Sequence, residues 1–169
     1  MAKAMGVRVF TTAGSDKKCQ SCLNLGAEIA INYHDSDFVE VIKDATNKKG
    51  VNVILDMVGG DYIAKNFKIA AIDGRIVNIA YLQGPVAKVN FLPVMLKRLT
   101  VTGSTLRPQS ADTKAAIAAN LKEFIWPFIE SSDIKPVIAQ CFPLEQAADA
   151  HTLMESNKHI GKIVLTVSE

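Results

Sequence analysis

Residues Val7 to Tyr33 read V-R-V-F-T-T-A-G-S-D-K-K-C-Q-S-C-L-N-L-G-A-E-I-A-I-N-Y, and this stretch decides the fold. A short run of large and β-branched side chains, Val7 to Thr11, ends in the small-residue turn Thr12-Ala13-Gly14-Ser15. The Ser15 hydroxyl can accept from a free backbone N–H, so a helix is expected to start there. Gly26 stops that helix, and Glu28 to Ile31 reads as a second short, buried strand. Strand, helix and strand in this order make a parallel βαβ unit.

The alternation continues downstream. Asp35 or Ser36 is placed to cap a helix over Phe38 to Lys43, and Val51 to Asp56 is a near-continuous apolar strand. Such a strand marks a parallel sheet covered on both faces. Gly59-Gly60 breaks the chain, a helix is expected from about Asp61 to Ala71, and Asp73-Gly74 turns it into a strand at Arg75 to Ala80. A short helix over Phe91 to Arg98 leads to a strand at Leu99 to Ser104. Ile117, Leu121, Phe124, Ile125, Phe128 and Ile129 recur at helical spacing, which predicts a helix over Asp112 to Ser131 that Pro127 kinks or restarts. Val137 to Phe142 reads as a strand, Leu144 to Glu155 as a helix and Gly161 to Val167 as a closing strand. The fold class is α/β, a Rossmann-like doubly wound parallel sheet.

Upstream, Met1 to Gly6 reads as the last turn of a helix and its glycine stop. In a dinucleotide-binding fold the βαβ unit at Val7 to Tyr33 is the second, which holds the adenosine half of the cofactor. The first strand and its Gly-rich turn, which hold the pyrophosphate, are expected before it and are absent from the sequence. In the strand order 3-2-1-4-5-6 that first strand is central, so its neighbours are expected to be left unpaired and the chain not to fold normally alone.

Composition bounds the class. The 169 residues are 49% apolar with a formal net charge of +2, and no Lys/Arg run exceeds two residues, so nothing suggests a nucleic-acid footprint. No apolar run is long enough to span a bilayer, and three cysteines make a poor disulfide framework, which points to a reducing cytoplasm.

The strand end at Thr11-Thr12 carries no carboxylate; Gly14 and Ser15 follow, then Lys18 one helical turn on, with Tyr33 at the next strand end. Small hydroxyl and basic residues there suit the 2′-phosphate of NADP, where an acid would suit the free ribose of NAD. Asp16 competes, although an acid in a first helical turn also suits the helix dipole. Cys19-Gln20-Ser21-Cys22 has redox spacing but sits inside a helix, so the cysteines are read as core residues. Asp56-Met57-Val58-Gly59-Gly60 closes a strand with a small-residue turn, where ligands approach open α/β sheets; methyltransferases use similar turns. Ile79, Ala80, Tyr81 and Leu82 lie at the matching edge of the next strand, placed to present backbone and an apolar wall to a nicotinamide. His34, His151 and His159 have no metal-ligand spacing, and no G-x-S-x-G elbow or catalytic carboxylate pair occurs, so no residue is named as catalytic or metal-binding.

A-G-S-D-K-K, L-G-A-E-x-A-I-N-Y, G-V-N-V-I-L-D-M-V-G-G, D-G-R-I-V, L-K-R-L-T-V-T-G-S-T-L-R, F-P-L-E-Q-A-A-D-A-H and H-I-G-K-I-V-L-T-V occur in order over essentially the whole chain. Together they resemble the zeta-crystallin-like NADPH:quinone oxidoreductases, a zinc-independent branch of the medium-chain dehydrogenase/reductase superfamily. The resemblance implies an incomplete NADPH-binding Rossmann domain over residues 1–132. Residues 133–169 would then return to a GroES-like catalytic domain. It implies Gly14, Ser15, Lys18 and Tyr33 around the adenosine ribose and 2′-phosphate. Val58 would lie near the adenine and ribose, with Ile79, Ala80, Tyr81 and Leu82 along the route to the nicotinamide. It implies a homodimer through Leu99 to Ser104, a small quinone or enone as substrate, and no nucleic-acid or membrane partner. The full-length parent is expected to transfer hydride from NADPH, and these residues alone to be inactive. The alternatives are a non-catalytic dinucleotide-binding or dimerisation module and, more weakly, an S-adenosylmethionine-type methyltransferase.

Overall fold

A computed structural model describes residues 1–167. Among these residues seven strands and seven helices follow in order, alternating except where α6 follows α5: β1 Phe10–Ala13, α1 Asp16–Asn24, β2 Ile29–Asn32, α2 Phe38–Ala45, β3 Val51–Asp56, α3 Asp61–Ile69, β4 Ala70–Asn78, α4 Leu92–Leu96, β5 Thr100–Gly103, α5 Ala111–Phe124, α6 Trp126–Glu130, β6 Ile138–Pro143, α7 Ala147–Glu155 and β7 Lys162–Thr166. A 3₁₀ turn, Leu144–Gln146, leads into α7. Every strand pair is parallel, as the alternation requires.

The ladders fall into three groups, β1-β2, β3-β4-β5 and β6-β7. Among the described residues no ladder joins β1 to β3, the place where the doubly wound order puts a central strand. Side chains hold the two groups together instead. Ile31, Phe38, Val39, Ile42 and Ile69 form a buried cluster on which Phe10, Ile29, Val51, Ile54 and Tyr62 pack. A second cluster, Phe67, Ala70, Ile76 and Leu99, continues under β4 and also takes Ile54.

Local chemistry explains the element ends. Met1 to Gly6 is a helical turn closed by Val7 N–H on the Ala2 carbonyl and Gly6 N–H on the Lys3 carbonyl, with Gly6 left-handed at φ 76°. Ser15 caps α1, its hydroxyl accepting from Lys18 N–H. Pro127 begins α6 rather than kinking one long helix, since its missing N–H is harmless in a first turn.

Several expectations need correction. The first strand begins at Phe10, not Val7; Arg8 extends outward to an exposed bidentate pair with Glu28, and only from Phe10 does the backbone ladder with β2 run. Asp37, not Asp35 or Ser36, caps α2, accepting from Val39 N–H. Asp35 is engaged by the Asn32 side-chain amide and is not free to cap. The fourth strand runs from Ala70 to Asn78, with Val51 opposite Ala70 and Val53 opposite Arg75, so the expected Asp73-Gly74 turn is a bulge inside it. β3 is not covered on both faces: Val53 and Leu55 are 64% and 66% exposed, because no described element lies over that side. The apolar stripe of α5 is equally bare, with Ile117, Leu121 and Phe124 all exposed.

Candidate functional site

Parallel strands bring their C-terminal ends to one edge, and the sequence-predicted residues gather there in two corners. The first lies at the ends of β1 and β2. Tyr33 N–H donates to the Ala13 carbonyl, and its ring folds over the turn. A Cβ added to Gly14 would stand 2.5 Å from the Tyr33 hydroxyl, so any larger residue there would have to push the ring aside. Tyr33 tilts against His34 at a centroid distance of 4.6 Å and meets Tyr62 edge-on at 6.4 Å. Asp16 does not stand free at the strand end: its carboxylate accepts from the Asn32 amide at 2.9 Å. The Lys18 ammonium donates to the Asn157 carbonyl, just past α7, at 2.7 Å. Gly14, Ser15 and Tyr33 therefore converge, while Lys18 is tied to the C-terminal segment.

The second corner joins the ends of β3 and β4. Asp56, 3% exposed, turns its carboxylate back onto its own chain, where one oxygen accepts from Val58 N–H at 2.7 Å and Gly59 N–H at 3.1 Å. The other accepts from the Asn66 side-chain amide of α3 at 2.8 Å. The turn so fixed is zipped to the segment after β4. Ile79, Leu82 and Gln83 N–H groups donate to the carbonyls of Asp56, Met57 and Val58 at 2.8, 3.1 and 2.7 Å, and Gly60 N–H donates to Gly84 at 2.9 Å. Gly59 sits at φ +69°, and a Cβ there would meet the Gly84 carbonyl at 2.5 Å and the Tyr81 ring at 2.8 Å. Val58 is half-buried, Ala80 likewise, and Ile79, Tyr81 and Leu82 are exposed along the rim.

Tyr62 connects the corners. Its N–H donates to the Gly59 carbonyl and its hydroxyl to Thr12 Oγ1 at 3.2 Å. Burial pushes its phenol pKa up, partly offset by the Thr12 bond. Neither Tyr62 nor Asn66 stands out in the sequence. The one available signal is that Asn66 interrupts the apolar side of a helix beside Phe67.

The remaining candidates do not join this edge. Burial pushes the Cys19 thiol up, with Cys22 and Asp16 adding to the effect, the reverse of what a redox nucleophile needs. All three cysteines are free, with Cys19 buried, Cys22 half-buried and Cys141 exposed. Among the described residues no three His, Cys, Asp or Glu side chains converge as a metal ion would require. No described helix is long and apolar enough to cross a membrane.

A family model described as zinc-binding dehydrogenase matches residues 1–122. The chain is 29% identical over 160 residues to quinone oxidoreductase-like protein 2 of Bos taurus, covering 95% of this chain and 46% of that protein. Its fold superposes on Escherichia coli quinone oxidoreductase complexed with NADPH with a TM-score of 0.78 and 32% identity, over 96% of this chain and 51% of the other. An NAD-dependent alcohol dehydrogenase superposes with a TM-score of 0.77 and 32% identity, over 99% of this chain and 46% of the other. The chain thus spans about half the length of the relatives it matches.

Proposed function

We propose, from the premise that this chain belongs to the zinc-binding dehydrogenase family, that it is the nicotinamide-nucleotide-binding part of an oxidoreductase that moves hydride from NADPH to a quinone or related enone. In this reading residues 1–132 bind the dinucleotide and residues 133–169 return toward the substrate-binding part. The similarity to the bovine and Escherichia coli quinone oxidoreductases supports the reaction class.

The observation that carries the cofactor choice is the first corner. The strand end offers Thr11 and Thr12, Tyr33 lies over Gly14, and the two nearby acids, Asp16 and Asp35, both accept from the Asn32 amide. β1 itself, Phe10-Thr11-Thr12-Ala13, carries no carboxylate that would bind an unmodified ribose and repel a phosphate, which supports NADPH. Gly14, Ser15, Lys18 and Tyr33 would hold the adenosine ribose and its 2′-phosphate. Val58 would pack near the ribose, and Ile79, Ala80, Tyr81 and Leu82 would wall the path to the nicotinamide. The bound cofactor would supply the hydride, and the chain's residues bind it, orient it and shield it.

The family's name speaks of zinc, but the donor residues described here do not fit a zinc ion: Cys19 and Cys22 lie on α1 and Cys141 on β6, with no third ligand beside either. Family membership speaks against the methyltransferase reading. A binding or dimerisation module without catalysis keeps one favourable observation, the missing ladder between β1 and β3.

Steady-state reduction of a simple benzoquinone with NADPH and with NADH, beside a binding titration of each, tests the proposal. Turnover preferring NADPH is expected of the full-length protein. Binding without turnover favours the module, and binding of neither nucleotide defeats both.

A further inference from the structure

Asp56 and Asn66 are both 3% exposed, and neither touches solvent at the ligand edge. A buried carboxylate is costly unless its lone pairs are filled, and here they are filled by two backbone N–H groups and one amide. The three donors come from two places, the Val58-Gly59 turn and the second turn of α3, so the carboxylate fixes the turn against a rigid helix. The turn in turn carries the whole segment after β4. Its Asp56, Met57 and Val58 carbonyls accept from Ile79, Leu82 and Gln83, and its Gly60 N–H is held by Gly84. No side chain within 79–84 makes a comparable bond into the fold, so that segment takes its position from the turn.

We infer that the Asp56–Asn66 pair is a positioning device for the nicotinamide half of the site: it acts through the Val58–Gly60 turn on the Ile79–Leu82 wall, without contacting the cofactor. The inference rests on the NADPH reading for its consequence, though not for its geometry. The device works by hydrogen-bond shape rather than by charge. An Asn at position 56 still accepts from both backbone N–H groups, and a flipped Asn66 amide then accepts from its side chain. Removing either side chain leaves the other a buried group without its partner.

The test uses Asn66→Ala, Asp56→Ala and Asp56→Asn in the full-length protein. Amide hydrogen exchange without ligand is the first readout. Both alanine variants should lose protection at 58–60 and 79–84 while β1 and β2 keep theirs, and Asp56→Asn should resemble the parent. The second readout compares NADPH with adenosine 2′,5′-bisphosphate, which reaches only the first corner. Asn66→Ala should weaken NADPH by about tenfold or more and change the fragment by less than about twofold. Unchanged exchange at 79–84, equal losses for both ligands, or an Asp56→Asn variant as damaged as Asp56→Ala would each overturn the inference. Failure of the parent to bind NADPH would defeat the functional reading instead, and the exchange pattern would then decide the inference by itself.

Discussion

The Tyr62 hydroxyl donates to Thr12 Oγ1 at 3.2 Å, a side-chain bond between two parts of the sheet that share no backbone ladder. Thr12 lies one residue before the end of β1, Tyr62 is the second residue of α3 beside the Gly59 turn, and its ring packs on Phe38 and edges Tyr33. One side chain thus couples the two corners of the ligand edge.

Tyr62→Phe keeps the ring and removes that coupling. It should cost about 1 kcal/mol in urea denaturation. The pH dependence has a definite sign. The folded phenol pKa is raised above its usual 10 by burial, so above pH 10 the unfolded chain has lost a proton that the folded chain keeps. Stability therefore falls as pH rises from there through the raised folded pKa, and the Phe variant should lack that component of the slope. Parallel slopes in parent and variant would show that Tyr62 titrates alike in both states.

Cofactor preference should depend on Lys18. Replacing it with Ala is expected to raise the Michaelis constant for NADPH roughly tenfold to a hundredfold more than for NADH, the worth of a charge-assisted contact at ~1.5–3 kcal/mol. In the structure its ammonium already holds the Asn157 carbonyl, so a 2′-phosphate would have to share or replace that bond. Equal effects on both cofactors would leave Lys18 only as a tie between α1 and the end of α7.

Two glycines in the second corner should behave differently. Both need left-handed backbone, Gly59 at φ +69° and Gly84 at φ +93°, but a Cβ on Gly59 strikes the Gly84 carbonyl while one on Gly84 meets nothing within 4 Å. Gly84→Ala should cost ~1 kcal/mol from backbone strain alone, and Gly59→Ala more, by thermal denaturation. Equal costs would mean that the 79–84 segment yields easily.

How much of this was legible in the sequence depended on whether the cause was local. β3 runs from Val51 to Asp56 as its apolar pattern requires, Ser15 caps α1, and Pro127 opens α6, because each follows from neighbouring residues. The choice of Asp37 over Asp35 was not readable, since Asn32 on the preceding strand decides it. The partnership of Asp56 with Asn66 depends on α3 folding back along β3, which no spacing rule encodes. The apolar run of β3 predicts covered faces, yet such a run reports what a strand can bury, not what lies over it.

Self-association through Leu99 to Ser104 is the next expectation. Among the described residues β5 ladders with β4 alone, Thr100 to Gly103 are exposed, and Val101 is 46% exposed. Such an edge offers unpaired N–H and C=O groups to a second copy running antiparallel about a two-fold axis. Val101→Pro, which removes a ladder donor, and Val101→Lys, which keeps the donor but adds a repelling charge near the two-fold, should both turn a dimer into a monomer in sedimentation. A parent that sediments as a monomer, or variants that stay dimeric, would place the contact elsewhere or nowhere.

Among the described residues β1 and β3 share no backbone ladder. β4 is laddered on both sides, to β3 and β5, whereas among the described residues β3 is laddered only to β4 and β1 only to β2. An N–H that faces an unpaired edge exchanges with solvent without any unfolding, while one held in a ladder must wait for local opening. Side chains from both groups pack into one buried cluster, and Val53 and Leu55 leave one face of β3 open to water. Residue-resolved hydrogen exchange should therefore show the Ile76–Asn78 amides of β4 as the slowest. Alternate amides of β3 and β1 should exchange faster, since successive N–H groups along a strand point to opposite edges. Protection of every β1 and β3 amide to the level of β4 would mean that a further strand lies between them, hydrogen-bonded to both.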